Sequence, residues 1–220
     1  WLMGNDAPAK VSSFGSLMQF RPENAPKGSG TRCLVDCPLV DTCLYSAKRL
    51  YIDHPDRWSF YVWDTLEDKI ELLKTSPYGV CAYKSDNNVV DHQSLAVRFK
   101  SGATGTHNMI GGAAIPQRKI HIIGTKGEIF GTLESGKFTV SLIDPRPGCE
   151  HLDRVVDVNV TDDSHGGGDI ELVKDFVRYV RDGEMSVSCT SVEDSMKGHL
   201  TVFRADKSMK NDGEVENVIE

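Results

Sequence analysis

The sequence predicts an α+β fold, a large, mostly antiparallel open sheet with helices packed on one face. Three observations predict it. From Tyr78 onward, short apolar runs follow one another, separated by turns such as Lys100-Ser101-Gly102, Thr125-Lys126-Gly127 and Ser135-Gly136; joins that short force antiparallel pairing. Near the end, two segments change to helical periodicity, and each is closed by a glycine, Gly183 and Gly213. The length of 220 residues, 39% apolar and 26% charged, is enough to bury a core.

Each element can be justified in order. Val11–Phe20 reads as a strand, and Arg21–Thr31 as a loop rich in Pro, Gly and charge. A cysteine cluster follows, Cys33-x3-Cys37-x5-Cys43. Asp41–Asp53 reads as a helix ended by His54-Pro55. Thr65-x-x-Asp68 is a capping box opening a second helix, with Leu66, Ile70 and Leu73 on one face. The strands expected next are Gly79–Lys84, His92–Phe99, Ala103–Ile110, Lys119–Gly124, Glu128–Leu133, Lys137–Ile143 and Arg154–Val160. The closing helices are Asp169–Arg181 and a last one opened by a second capping box, Thr190-x-x-Glu193, burying Val192, Met196, Leu200 and Phe203. The chain reads as a single domain, 1–220, with a cysteine-rich helical insertion at about 21–77. Trp1-Leu2-Met3-Gly4 reads as the last turn of a helix, so a fragment is expected whose missing part lies upstream.

Charge and hydropathy exclude several functions. A net charge of −7 argues against a general nucleic-acid binder. No apolar run has the length of a membrane span, and no secretory signal is visible, so a cytoplasmic location is expected. The half-apolar sheet face left open by the helices is expected to mediate a homo-oligomer.

Three constellations could carry chemistry. Cys33, Cys37 and Cys43, with Cys81 as a fourth, could hold a structural zinc ion by four thiolates. Free buried thiols, or a Cys33–Cys37 or Cys37–Cys43 disulfide, are the other readings of the same cluster. Asp86, Asn87, Asp91 and His92 at a loop-to-strand junction could bind a polyhydroxylated ligand, or simply form an Asx turn. The run Ser164-His165-Gly166-Gly167-Gly168-Asp169 is either a tight connection with Asp169 as N-cap or a ligand cradle at a helix start. Gly124-Thr125-Lys126-Gly127 lacks the spacing of a phosphate loop and reads as a hairpin turn. No G-x-G-x-x-G follows a strand, so the chain carries no dinucleotide fingerprint of its own.

Several of these stretches occur together and in order: Trp1-Leu2-Met3-Gly4, Asp86-Asn87 with Val89-Val90-Asp91-His92-Gln93, Ile123–Glu128, His165–Asp169, and Ser191-x-Glu193-Asp194-Ser195. In this the chain resembles the C-terminal domain of the glucose–fructose oxidoreductase / inositol dehydrogenase family (Gfo/Idh/MocA), in particular members with a cysteine-rich insertion. The resemblance implies the substrate-binding and oligomerisation domain of an oxidoreductase acting on a sugar, cyclitol or related polyol. It implies NAD or NADP held by an N-terminal Rossmann domain absent from this chain. It also implies that the catalytic Lys, Asp and His lie outside this chain, which alone would be inactive. What carries over is the substrate side: His165, Asp169, Asp86, Asn87, Asp91 and His92. The alternative is a non-catalytic, zinc-stapled binding or scaffold module.

Overall fold

The computed structural model describes residues 2–4, 6–54, 65–158, 164–186 and 189–219. Trp1, Pro55 and the expected strand end at Asn159–Val160 lie outside them. In chain order the elements are β1 (Pro8–Ser16), α1 (Leu66–Thr75), β2 (His92–Phe99), β3 (Thr104–Ile110), β4 (Lys119–Gly124), β5 (Gly127–Thr132), β6 (Lys137–Ile143), β7 (His151–Asp157), α2 (Gly168–Asp182), α3 (Val192–Lys210) and β8 (Glu216–Asn217). The α+β class and the antiparallel pairing hold. The strands form two four-stranded sheets, ordered β3-β2-β1-β8 and β4-β5-β6-β7. The chain divides into two compact units, residues 6–111 with 197–220, and residues 1–5 with 112–196.

In the first unit, β1 and β2 pair antiparallel from Lys10↔Arg98 to Ser16↔His92. The period-two pattern puts Val11 inward, where it packs with Ala205 and Val218 against Leu95, Val97 and Ile219. Burying Val11 fully is worth about 2 kcal/mol. Ser13 and Ser208 are also fully buried. The Ser208 hydroxyl accepts the Ser13 N–H at 3.0 Å, so the polar pair is satisfied. Gly213 ends the α3 segment with φ 81°, and a Cβ there would sit 2.1 Å from the Phe14 ring. Only glycine allows this close approach of the turn to β1.

A second, smaller core of Cys33, Ala47 and Leu73 holds the cysteine lobe, with Leu34, Val40, Tyr51 and Ile52 packed around it. The expected capping box is present: the Thr65 hydroxyl accepts the Asp68 N–H at 3.1 Å and opens α1. Two expectations fail in this lobe. Of the Asp41–Asp53 helix, the helical part is 47–53, α-helical at Ala47 and Lys48 and π-helical at Arg49–Asp53. The preceding residues form turns, with the Cys43 N–H bonded to the Leu39 carbonyl and the Ser46 hydroxyl accepting the Lys48 N–H. Serine competes in this way with the helical ladder. Gly79–Lys84 is not a strand either. Pro77–Gly79 is a 3-10 turn, and Val80 makes an isolated bridge with Arg32.

The second unit is a meander. The turn Thr125-Lys126 joins β4 to β5 with Gly124 opposite Gly127, and β5–β6 and β6–β7 continue in register. Ile122, Ile129 and Val140 fall opposite one another and share one face of the sheet. Both later helices start differently from expectation. The residue before α2 is Gly167, with no side-chain cap, and Asp169 instead faces His165. The cap of α3 comes one residue later than Thr190: the Ser191 hydroxyl accepts the Asp194 N–H at 3.1 Å.

Gly79 brings the cysteine lobe together most tightly. A Cβ on it would lie 1.7 Å from the Leu73 carbonyl oxygen. Gly79→Ala is expected to destabilise the protein by about 3 kcal/mol, at the upper end of overpacking costs, and chemical denaturation followed by circular dichroism checks it.

Candidate functional site

The Asp91-His92 junction sits where β2 begins. The Asp91 side chain is only 6% exposed. Its oxygens accept the backbone N–H groups of Met18 at 2.9 Å, Gln19 at 2.6 Å and Phe20 at 2.9 Å. The fourth partner is His92 Nδ1, 3.2 Å from Asp91 Oδ1. Burial pushes the Asp91 carboxyl up, but the N–H bonds from Met18, Phe20 and Gln19, together with His92, outweigh it and hold the group well below the usual carboxylate range. Asp91 therefore anchors the loop leaving β1 and orients an imidazole. Through Nδ1 bound to the carboxylate, His92 keeps its Nε2 for another partner.

Asn87 does what an Asx turn requires. Its Oδ1 accepts the Val89 N–H at 3.1 Å and its Nδ2 donates to the Val89 carbonyl at 3.3 Å. Asp86 is exposed beside it.

The glycine-rich run has an unusual backbone. His165 (φ 53°), Gly166 (φ 66°) and Gly167 (φ 84°) are consecutive left-handed residues, and right-handed helix begins at Gly168. Two of the three glycines are thus required by conformation. His165 holds a conformation costing a non-glycine residue about 1–2 kcal/mol, and its Nδ1 lies 2.9 and 3.0 Å from the two Asp169 oxygens. The result repeats the Asp91–His92 pairing: a carboxylate fixes Nδ1 and the imidazole presents Nε2. The two pairs belong to different units, His92 to one and His165 to the other.

The cysteine lobe brings its four thiols to one small cavity. Cys33, Cys37, Cys43 and Cys81 all line it, beside Tyr45 and Tyr83. The backbone explains the gathering. The Cys33 N–H donates to the Gly79 carbonyl and the Cys81 N–H to the Thr31 carbonyl, both at 2.9 Å, which sets Cys33 and Cys81 side by side. Asp36 folds the loop between Cys33 and Cys37 by accepting the Thr31 and Arg32 N–H groups at 2.9 and 2.7 Å and the Thr31 hydroxyl at 2.8 Å. These bonds, the two backbone ones first, lower the Asp36 carboxyl to about 2. Burial pushes the Cys33 thiol up, the Ala47 backbone hydrogen bond opposes it, and the neighbouring Cys81, Cys37 and Cys43 add to the rise. All six cysteines are free. Among the described residues no group of three or more His, Cys, Asp or Glu side chains could hold a metal ion, so the expected zinc site on Cys33, Cys37, Cys43 and Cys81 is not supported.

Sequence reasoning missed Asp36, Arg32 and the aromatic wall. Arg32 donates to the Lys74 carbonyl at 2.7 Å and to that of Ser76, capping the end of α1. Phe20, Tyr45 and Tyr83 stack with ring centroids 5.0 to 5.9 Å apart. Asp36 had a local signal, an aspartate a few residues after Thr31-Arg32 in a loop without other order. Arg32 had none, since its partners are some forty residues away.

The fold now permits comparison with known proteins. No known protein-family profile matches the chain. Over 192 residues it is 24% identical to the candidate oxidoreductase YteT of Bacillus subtilis (strain 168), covering 80% of this chain and 42% of YteT. An oxidoreductase domain protein from Kribbella flavida superposes with a TM-score of 0.58 at 13% identity, over 98% of this chain and 47% of that one. A levoglucosan dehydrogenase in complex with NADH gives 0.55 at 14% identity, over 97% and 45%. The chain thus shares its α+β fold with part of each of these solved oxidoreductases. The chain spans less than half the length of each of these relatives.

Asp91 supplies a test of the anchoring role. Its folded carboxyl titrates below the ordinary 3.8, so its contribution is complete above that value and is lost as pH falls beneath it. Asp91→Asn is expected to destabilise the protein by about 2 kcal/mol at neutral pH and to flatten the loss of stability below about pH 4. Urea denaturation of both forms across that range checks it.

Proposed function

We propose that this chain forms the substrate-facing part of an NAD(P)-dependent oxidoreductase acting on a sugar, cyclitol or related polyol. The observation that carries the proposal is the pair of carboxylate-held imidazoles, His92 with Asp91 and His165 with Asp169. Each gives a fixed tautomer and one directional polar atom, which suits recognition of hydroxyl groups. Asp86 and Asn87, exposed near His92 in the chain, complete the candidate binding residues. The oxidoreductase relatives and the NADH-bound levoglucosan dehydrogenase of the same fold support the reading.

The chain's own residues do not make a dinucleotide cradle. Its glycine run, Gly166–Gly168, lacks the G-x-G-x-x-G spacing and opens on two left-handed residues. In this reading NAD or NADP, together with the catalytic Lys, Asp and His, is contributed from outside these residues, as the resemblance implies. The role of this chain is to bind and orient hydroxyls, a contribution of proximity rather than of bond making. The reading also includes a homo-oligomer formed with a second copy of the chain through an open sheet face. Among the described residues no helix is long and apolar enough to cross a membrane.

In full-length protein, His92→Ala and His165→Ala are each expected to lower kcat/KM for the sugar about tenfold, the loss of one well-placed hydrogen bond, with NAD(P)H affinity unchanged. Unaltered kinetics in both would return the two histidines to structural roles. Static light scattering is expected to give a mass above one chain, and a monomer removes the oligomer.

A further inference from the structure

The cysteine lobe holds a feature that substrate binding does not use. Cys33, Cys37, Cys43 and Cys81 are free thiols that line one cavity of about 10 Å³, room for a single water-sized body. The lining beside them is neutral, with Leu39, Val40 and Ala82 among it. Apolar walls penalise a buried charge but not a neutral sulfur–sulfur bond.

The backbone decides which two sulfurs meet. Arg32 and Val80 are bridged antiparallel, so Cys33 stands opposite Gly79 and Cys81 opposite Thr31. These two cysteines are diagonal neighbours, about 7–8 Å apart, which is beyond the roughly 7 Å limit for an unstrained disulfide. Cys43 belongs to the next turn, closed by its N–H on the Leu39 carbonyl. Cys33 and Cys37 instead flank a single turn. The Val35 and Asp36 N–H groups both donate to the Arg32 carbonyl, at 3.3 and 3.2 Å, and the Asp36 carboxylate locks that turn through the Thr31 and Arg32 N–H groups. Four residues at the rise of a helical turn advance about 6 Å, inside the Cα range of about 4.4–6.8 Å that a disulfide spans.

We infer that Cys33 and Cys37 form a reversible disulfide when the protein meets a hydroperoxide, with Cys37 as the attacking thiol and Cys33 as the resolving one. The inference does not rest on the oxidoreductase reading. Access assigns the roles: Cys37 is half-buried, whereas Cys33 is only 6% exposed. Burial also pushes the Cys33 thiol up, which keeps it protonated and leaves the first oxidation to Cys37. The Cys37 sulfur attacks one peroxide oxygen. The O–O bond breaks, Cys37 becomes a sulfenic acid, and the other oxygen leaves with a proton as alcohol or water. The Cys33 sulfur then displaces the hydroxyl from Cys37: the S–O bond breaks, the S–S bond forms, and the hydroxyl departs as water with the Cys33 proton. Two thiols lose two electrons in all, and the hydroperoxide gains them. The bond closes covalently a lobe whose buried cluster is no more than Cys33, Ala47 and Leu73.

The test uses full-length protein, fully reduced and then treated with hydrogen peroxide. A thiol reagent is expected to label two fewer cysteines after treatment, and dithiothreitol is expected to restore both. Trypsin cuts after Arg32 and Lys48, and cleavage before Asp36 and Asp41 then puts Cys33, Cys37 and Cys43 on separate peptides. Mass spectrometry of the oxidised protein is expected to find the Cys33 peptide joined to the Cys37 peptide, a readout that needs no variant to fold. In Cys33→Ser, a sulfenic acid trapped by dimedone is expected to accumulate on Cys37, whereas Cys149→Ser and Cys189→Ser still lose two thiols. An unchanged thiol count, a bond from Cys33 to the Cys43 or Cys81 peptide, or a link between two chains would each overturn the inference.

Discussion

A single buried carboxylate organises the connection between the first sheet and the cysteine lobe. Asp91 gathers the N–H groups of Met18, Gln19 and Phe20, three donors that the end of β1 would otherwise leave to water. Charge-assisted bonds of this kind are about twice as strong as neutral ones. Phe20, fixed by its own N–H, then packs on Tyr45 and Tyr83. Those rings are part of the wall around the four thiols. Remove the carboxylate, and the path from β1 to the lobe loses its first fixed point. The same oxygen that receives Met18 also faces His92, so loop order and imidazole orientation share one atom.

The cysteine lobe is built on a different principle from the sheets. Its regular structure is sparse: a bridge between Arg32 and Val80, a short π turn and α1. Its order comes from individual polar contacts that each close a loop. Asp36 closes residues 31–36, Arg32 ties the lobe to the end of α1, and Lys48 reaches Asp41 and Asp53 at 2.8 and 3.5 Å. Contacts of this sort fix geometry more than they add stability, because exposed ion pairs contribute little. The lobe is thus specified in shape by its polar residues, around the small apolar cluster of Cys33, Ala47 and Leu73.

What could be read from sequence follows from how local each determinant is. The β4–β5 hairpin was legible because its two-residue turn leaves no other pairing, whereas β7, expected at Arg154–Val160, begins at His151 after a longer connection from β6. The Thr65–Asp68 cap was legible because both partners lie within one turn. The Asp41–Asp53 stretch misled because its apolar spacing suits a helix while Ser46 and Leu39 direct its backbone into turns. Gly79–Lys84 misled because its β-like composition meets only Arg32 across the lobe. At α3 the error was one residue, since Thr190 and Ser191 are equally good caps on paper. For the candidate site, sequence named two histidines and the aspartates that the structure pairs with them, Asp91 with His92 and Asp169 with His165. It could not show that Asp91 is turned mainly toward backbone, because Met18–Phe20 are some seventy residues away.

The left-handed turn at His165–Gly167 has one further consequence. Three successive residues with positive φ leave the segment far fewer arrangements than an ordinary polar loop of equal length. That ordering is completed when the chain folds, and the His165–Asp169 contact at its end is made then too. In the role proposed for His165, a substrate hydroxyl would meet an imidazole already held by Asp169, and little binding energy would be spent on ordering the loop. Selectivity at such a position derives from fit to a preset direction rather than from a loop that adapts to each visitor.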